Sequence, residues 1–172
     1  MALTRSDIQR LFELLNQELR TDGIRAEIFV VGGAVMCLAY GARASTEDVD
    51  AAFRPAIEVR RAAARVAAKM RLDPHWLNDS VKGFMSARGD FAAFFELDHL
   101  SVMLAQPTYL LAMKCMAMRI GEEFHDQDDV RYLLRLLDVR SHEQTIGIIT
   151  KYYPLDKFPQ KTLYALTDLL PQ

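Results

Sequence analysis

The sequence has little of what marks a secreted, zinc-binding or membrane protein. Its 172 residues include two cysteines, so a disulfide framework is not expected. Its four histidines are scattered and share no metal-ligand spacing. No apolar run is long enough to cross a bilayer, and the first seven residues lack the apolar core of a signal peptide. These absences predict a cytoplasmic protein with no membrane partner, in which Cys37 and Cys115 are buried small hydrophobes.

The sequence also lacks an excess of positive or of negative charge. The formal net charge is −2, although 26% of the residues are charged, so the chain as a whole is not a basic nucleic-acid coat. Any polyanionic partner must therefore bind a local patch. The apolar fraction of 51% is enough for a core in one domain, or in one domain with a helical extension.

Strand and helix patterns divide the chain near residue 105. Apolar runs predict strands over residues 27–31, 48–53, 91–97 and 100–105. Helices are predicted after a cap at Thr4 or Ser6, and over 34–40, 56–70 and, as a short turn around Trp76, 75–82. Beyond residue 105 the pattern predicts helices over 107–120, 126–137 and 162–170, and a further helix that begins after Ser141. We predict an α/β (α+β) fold: a small mixed sheet flanked by helices in 1–105, then a C-terminal helical region in 106–172.

The most informative stretch runs from residue 28 to residue 53. An apolar strand, the pair Gly32–Gly33 and a short helix precede a strand that carries Asp48 and Asp50. Side chains alternate across a strand, so both carboxylates project from one face, where they repel each other unless a cation lies between them. Hard oxygen ligands favour Mg²⁺ or Mn²⁺, and the amides of the glycine turn are candidates to hold a phosphate. The pattern points to phosphoryl chemistry.

Polar side chains also lie in apolar surroundings in the helical region. Lys114 falls among leucine, alanine and methionine side chains, so it extends to water, pairs with an acid or points into a site. Asp126 lies on the apolar side of the next helix, where it either caps that helix or contributes an acid to a site. Asp129 lies at the edge of the same apolar stripe.

The helix over 56–70 carries the one dense basic surface. Either this is an ordinary solvated helix face or it binds the phosphates of a nucleic acid. The side chains concerned are Arg60, Arg61, Arg65 and Lys69.

These blocks resemble the polymerase-β-like nucleotidyltransferase superfamily. The glycine pair, Arg43, Thr46 and the two aspartates match its core motif, in which an acid-x-acid strand binds two Mg²⁺ ions. The later blocks 110–114 and 126–130, with 74–78, are similar to the AbiEii-like and DUF6036 branch, which includes toxins of bacterial toxin–antitoxin systems. The resemblance covers roughly residues 28–137.

The resemblance implies a metal-dependent enzyme that transfers a nucleoside monophosphate from a nucleoside triphosphate to an acceptor hydroxyl, such as a tRNA 3′ end. It implies Asp48 and Asp50 as ligands of Mg²⁺ or Mn²⁺ and Lys114 as a phosphate ligand. Asp126 would be the acid of the final motif of this branch, through which the helical region helps to complete the active site. Nucleotide contacts are implied for Gly32, Gly33, Arg43, Thr46 and Lys114.

Several alternatives stay open at this point. The third acid of the superfamily could be Glu96, Asp98, Asp126 or Asp129. The acceptor could be RNA, a small molecule or a protein hydroxyl, and a cognate antitoxin is a possible partner. The chain could also be a non-catalytic binding protein that retains the fold.

Overall fold

The computed structural model describes residues 1–121 and 124–172. The chain forms two compact units, the first of Met1–Gly83 with Phe91–Ala105 and the second of Phe84–Asp90 with Gln106–Gln172. The segment 84–90 thus belongs to the helical unit, although it lies inside the range that the sequence assigns to the core. Within the described residues, no helix has both the length and the apolar character to span a membrane.

The first unit is a mixed five-stranded sheet with helices. The strand order is β5-β4-β2-β7-β6, and a separate pair is formed by β1 with β3. The elements are β1 (Leu3–Thr4), α1 (Arg5–Thr21), β2 (Ala26–Val30), α2 (Gly32–Leu38), β3 (Ser45–Thr46), β4 (Val49–Arg54), α3 (Ala56–Met70), β5 (Leu77–Asn78), β6 (Phe91–Glu96) and β7 (Leu100–Ala105). The predicted mixed sheet flanked by helices is confirmed, and so is the Thr4 cap, whose side chain accepts a hydrogen bond from the Asp7 amide.

The central strand β2 pairs antiparallel with β4 and parallel with β7. One face of the sheet is the core, because its side chains are at most 6% exposed: Ile28, Val30, Ala51, Phe53, Val102 and Leu104. Helix α1 contacts β7, and α3 contacts β4. The opposite face, which we call the open face, carries partly or fully exposed side chains: Glu27, Phe29, Asp50, Ala52, Arg54, Ala93 and Met103.

The short turn of helix predicted over 75–82 is wrong for residues 75–79, and only its end, from Ser80 on, is helical. Leu77 and Asn78 instead form β5, which runs parallel to β4, and a 3₁₀ turn follows over Ser80–Phe84. The Trp76 side chain is buried, and its indole N–H donates to the Ala63 carbonyl at 3.1 Å. A two-residue strand is too short for an alternating pattern, so its pairing with β4 outweighs local preference.

The second unit is helical after residue 106, as predicted. Its elements are α4 (Pro107–Ala117), α5 (Asp126–Leu136), α6 (His142–Ile149), a 3₁₀ turn (Leu155–Lys157) and α7 (Gln160–Leu169). Ser141 caps α6 by accepting from the Gln144 amide. Cys37 in the first unit and Cys115 in the second are both buried and free, as expected.

Candidate functional site

The glycine pair lies directly against the side chains that the motif singled out. Gly32 has a φ of +69°, and a Cβ built there would lie 3.3 Å from Oδ2 of Asp50. A Cβ on Gly33 would lie 2.8 Å from Nη1 of Arg43 and 3.0 Å from Oγ1 of Thr46. The first position needs glycine for its left-handed backbone and the second for space. The motif residues therefore come together in the first unit.

Asp48 and Asp50 lie at the end of the sheet where β2 gives way to α2. Strand β4 begins at Val49, so Asp48 lies one residue before it, not in it as predicted, while Asp50 is its second residue. The Asp50 carbonyl accepts a 2.9 Å hydrogen bond from the Val31 amide, just beyond the end of β2. Burial and the negative charge of Asp50 raise the pKa of the Asp48 carboxyl. The two carboxylates are thus close enough to repel each other.

Asn78 is a site residue that sequence reasoning missed. It lies opposite Asp50 in the parallel pairing of β5 with β4, and its Nδ2 donates to Oδ2 of Asp48 at 3.1 Å. Its Oδ1 accepts from the hydroxyl of Ser80 at 2.7 Å, which fixes the orientation of the amide. The signal was present in the block 74–78, but it was interpreted as a helical turn and not as a strand beside the aspartates.

Two of the four candidates for a third acid lie at the opposite end of the sheet. Asp98 accepts from Nδ2 of Asn16 at 2.8 Å and pairs with Arg20 at 2.6 Å. Glu96 pairs with Arg25 at 3.0 Å. Residue 100 is opposite Ala26 at the start of β2, whereas Asp50 is bonded to the residue after its end, about 16 Å away at the usual strand rise. Glu96 and Asp98 therefore do not accompany the two aspartates.

The donor set at Asp48 and Asp50 fits a Mg²⁺ or Mn²⁺ ion that the resemblance implies. Both candidate ligands are carboxylates. Burial and, after it, the negative charge of Asp50 raise the pKa of Asp48, and a cation between the two would relieve that repulsion. Among the described residues no group of three or more histidine, cysteine, aspartate or glutamate side chains could hold a metal. Mg²⁺ is commonly held by one or two carboxylates together with substrate phosphates and water, so a pair is sufficient.

In the second unit, Lys114 is paired with an acid. Its Nζ lies 2.7 Å from Oδ2 of Asp129, and the two side chains are only 11% and 4% exposed. Of the open alternatives, the structure therefore shows a buried ion pair at this lysine.

Asp126 does not cap α5 with its side chain. His125 occupies the N-cap position, and Oδ2 of Asp126 instead accepts from the backbone amide of Arg119 at 3.0 Å and from its Nε at 2.8 Å. Burial raises the pKa of the Asp126 carboxyl, but the hydrogen bonds from Arg119 and the charge of Lys114 outweigh this effect and lower it below the ordinary value. The second unit thus brings Lys114, Arg119, Asp126 and Asp129 into one charged cluster.

The basic surface of α3 is largely neutralised within the first unit. Arg65 pairs with Glu18 at 2.6 Å and with Asp22 at 2.5 Å, and Lys69 also pairs with Glu18. Arg60 pairs with Asp79. Of the four side chains predicted to bind RNA, only the exposed Arg61 has no ion pair among the described residues. The charge run is therefore mainly a means of attaching α3 to α1 and to the segment after β5.

A cavity of about 280 Å³ opens beside Asp48. Three of its lining side chains are acidic, none is lysine or arginine, and Trp76 and two leucines supply apolar surface. The negative charges of Glu47 and Asp73 contribute to the raised pKa of Asp48. The lining residues are Met1, Leu3, Glu47, Asp48, Leu72, Asp73, His75 and Trp76.

Comparisons with family models, curated proteins and solved structures find no match to this chain. The resemblance to nucleotidyltransferases therefore rests on the motif residues and their arrangement, and it stays a prediction.

Proposed function

We propose that the protein is a metal-dependent nucleotidyltransferase of the polymerase-β-like superfamily, in its AbiEii-like and DUF6036 branch. The observation that carries the proposal is the convergence of Asp48 and Asp50 with the Gly32–Gly33 turn. A carboxylate pair beside a glycine turn that needs two glycines combines a place for a divalent cation with a close backbone approach for a phosphate. The expected cytoplasmic location, where triphosphates and Mg²⁺ are available, belongs to the same proposal.

The proposed reaction transfers a nucleoside monophosphate. The oxygen of the acceptor hydroxyl forms a bond to the α-phosphorus, the bond from that phosphorus to the bridging oxygen of pyrophosphate breaks, and the hydroxyl proton is lost to water. Bound Mg²⁺ or Mn²⁺ would hold attacking and leaving oxygens in line and neutralise their charge. Asp48 and Asp50 bind the cation, and Asn78 holds the Asp48 carboxylate in position.

The remaining motif residues act on the triphosphate in this proposal. The Arg43 guanidinium lies against Gly33 and donates hydrogen bonds to phosphate oxygens. The Thr46 hydroxyl, which donates to the Asp48 carbonyl at 3.2 Å, exchanges that bond for one to a phosphate oxygen. The resemblance implies a phosphate-binding role for Lys114, whose ammonium is held by Asp129 within the second unit. Asp126 acts as a positioning residue through Arg119.

The favoured acceptor is an RNA end, as in the related toxins, with a cognate antitoxin as a further proposed partner. The test is incubation with each α-labelled triphosphate and total RNA, with Mg²⁺ and with chelator. We expect label in RNA from at least one triphosphate, only with metal; no label under any condition would contradict the proposal. For the toxin-like role, induced expression should arrest growth with wild type and not with Asp48→Ala; normal growth with abundant wild-type protein would refute this role.

A small-molecule acceptor is the second candidate, because the cavity of about 280 Å³ opens beside Asp48. Its acidic lining would favour a molecule that carries an amine. In the same incubation, label would then enter a small-molecule extract and not RNA. A non-catalytic binding protein would give no label and no thermal shift with any triphosphate and Mg²⁺.

A further inference from the structure

The open face of the sheet carries a row of apolar side chains beside the carboxylate pair. Strand pairing places Ala52 opposite Phe29, Phe29 opposite Met103, and Met103 opposite Ala93. The row thus crosses four adjacent strands, a width of about 14 Å at the usual strand spacing. None of these four side chains is fully buried.

Phe29 is the aromatic centre of this row. The ring of Phe91 meets it edge to face at 5.2 Å between centroids, so the Phe29 ring is held by a neighbour and still partly exposed. The guanidinium of Arg54 lies over the same ring, 5.3 Å from its centroid, so a base that stacks on Phe29 must displace it. Aromatic rings and guanidinium planes are the groups on which nucleobases stack in single-strand binding proteins.

Acidic, apolar and basic side chains follow one another along the open face. Asp50, Ala52 and Arg54 alternate onto this face along β4. Measured between backbone positions, the apolar row lies about 7 Å beyond Asp50, and Arg54 lies about 13 Å beyond it. This matches the order of groups in a polynucleotide end: a terminal hydroxyl, its base and an upstream phosphate.

Arg54 is available to a phosphate. Its side chain is 70% exposed, and its partner Glu27 is 39% exposed. Ion pairs between solvated side chains contribute little to stability, so the guanidinium can exchange a carboxylate for a phosphate at small cost.

We propose that the open face is a stacking platform for the terminal nucleotides of a single-stranded RNA acceptor. The base next to the reacting hydroxyl lies on Phe29, and Arg54 contacts an upstream phosphate. This inference rests on the proposed nucleotidyl transfer and assigns the surface that binds its acceptor. The width of the row favours a strand over a single mononucleotide as the occupant.

The test measures binding of a fluorescent, unstructured hexaribonucleotide in EDTA without triphosphate, so that transfer plays no part. A matched oligonucleotide lacks its two 3′-terminal bases and keeps the backbone. We expect wild type to bind the base-bearing RNA about five- to hundredfold more tightly than the abasic one, the usual range for stacking on an aromatic side chain. Phe29→Leu, which keeps an apolar side chain in the row, should remove most of this difference.

Two further variants separate stacking from charge. Arg54→Gln should lower the slope of log K against log salt by about 0.7 for single-stranded RNA and preserve the preference for the base-bearing RNA. The control variant is Tyr164→Ala, which removes an aromatic ring that is 76% exposed on α7. It should bind both oligonucleotides as wild type does. Thermal unfolding of each variant shows whether it is folded. If Phe29→Leu does not fold, Met103→Lys provides a second change to the apolar row.

Several outcomes overturn the platform. Equal binding of both oligonucleotides by wild type, or an unchanged preference in Phe29→Leu, refutes stacking. Loss of triphosphate binding in Phe29→Leu, with RNA binding intact, assigns the row to the incoming nucleotide. A dimer that Phe29→Leu dissociates, with no RNA binding, assigns it to a second copy. Transfer of label to RNA with no base preference refutes the platform only, whereas base preference without any transfer refutes only the proposed reaction.

Discussion

Asn78 donates a 3.1 Å hydrogen bond to the carboxylate of Asp48 from the strand beside it. A neutral amide, and not a third carboxylate, therefore lies beside Asp48 in the proposed metal site. We expect this relationship to limit the repulsion between the carboxylates when no metal is bound.

Replacing that amide by a carboxylate should make the protein depend more on metal. In Asn78→Asp a third negative charge adds to the repulsion between Asp48 and Asp50, so unfolding in EDTA should occur about 2–4 °C lower, the shift for roughly 1 kcal/mol in a chain of this size. Mg²⁺ should then raise the melting temperature by more than it does in wild type. Asn78→Leu, which lacks both charge and donor, is the control; an equal Mg²⁺ effect in wild type and Asn78→Asp would contradict the assignment.

The raised pKa of Asp48 predicts the pH dependence of metal-free stability. A carboxyl whose pKa is higher in the folded state than its ordinary value of 3.8 favours folding when protonated, so its contribution is lost as pH rises through the folded-state value. Asp48→Asn should therefore unfold at a higher temperature than wild type near pH 7 in EDTA. The difference should shrink as the pH falls below about 4, where wild type is protonated too.

Thermal unfolding in EDTA across pH 3–8 checks this prediction, with Glu13→Gln, an exposed change on α1, as the control. An Asp48→Asn protein that is less stable than wild type at pH 7 would show that the carboxylate stabilises the fold without metal.

The Lys114–Asp129 pair can be separated into structural and functional parts. Lys114→Met leaves Asp129 buried without its ammonium partner, which should cost about 3–5 kcal/mol of unfolding free energy. The double variant Lys114→Met with Asp129→Leu should recover most of that stability, since both charges are removed, but should remain inactive in nucleotidyl transfer. Urea unfolding and labelled-nucleotide transfer give the two readouts; a stable double variant with wild-type activity would make the pair purely structural.

The ion pairs of α3 predict which of its arginines matter for stability. Arg65 contacts both Glu18 and Asp22, and Glu18 is only 8% exposed. Arg65→Gln should therefore lower the unfolding free energy by about 1–3 kcal/mol, whereas Arg61→Gln should change it by less than about 0.5 kcal/mol. If Arg61→Gln were the more damaging change in urea unfolding, the ion pairs in α3 would not have the assigned role.

Much of the first unit could be predicted from its sequence because the signals are local. The apolar run of β2 and the glycine pair identified a central strand followed by a turn, and Asp48 and Asp50 were found through their spacing. Asn78 was missed because a two-residue strand carries no periodicity. Its contact with Asp48 depends on a pairing between distant segments.

Contacts between distant segments also determine which charged residues form ion pairs, and the sequence does not show these contacts. The basic run of α3 was visible in the sequence, but its partner Glu18 lies on α1, and nothing local identifies that contact. Likewise, apolar surroundings marked Lys114 as unusual without showing that Asp129 is its partner. The third-acid candidates Glu96 and Asp98 were separated from the site only by the strand register.

The central claim is that Asp48 and Asp50 bind the cation that supports nucleotidyl transfer. Its most direct test is transfer of α-labelled nucleotide by wild type, Asp48→Ala, Asp50→Ala and the control Glu13→Gln, with folding of each checked by thermal unfolding. The account predicts wild-type transfer in the control and a loss of at least about a thousandfold in both aspartate variants, which corresponds to roughly 4 kcal/mol in the barrier. Full transfer by folded Asp48→Ala and Asp50→Ala would contradict it.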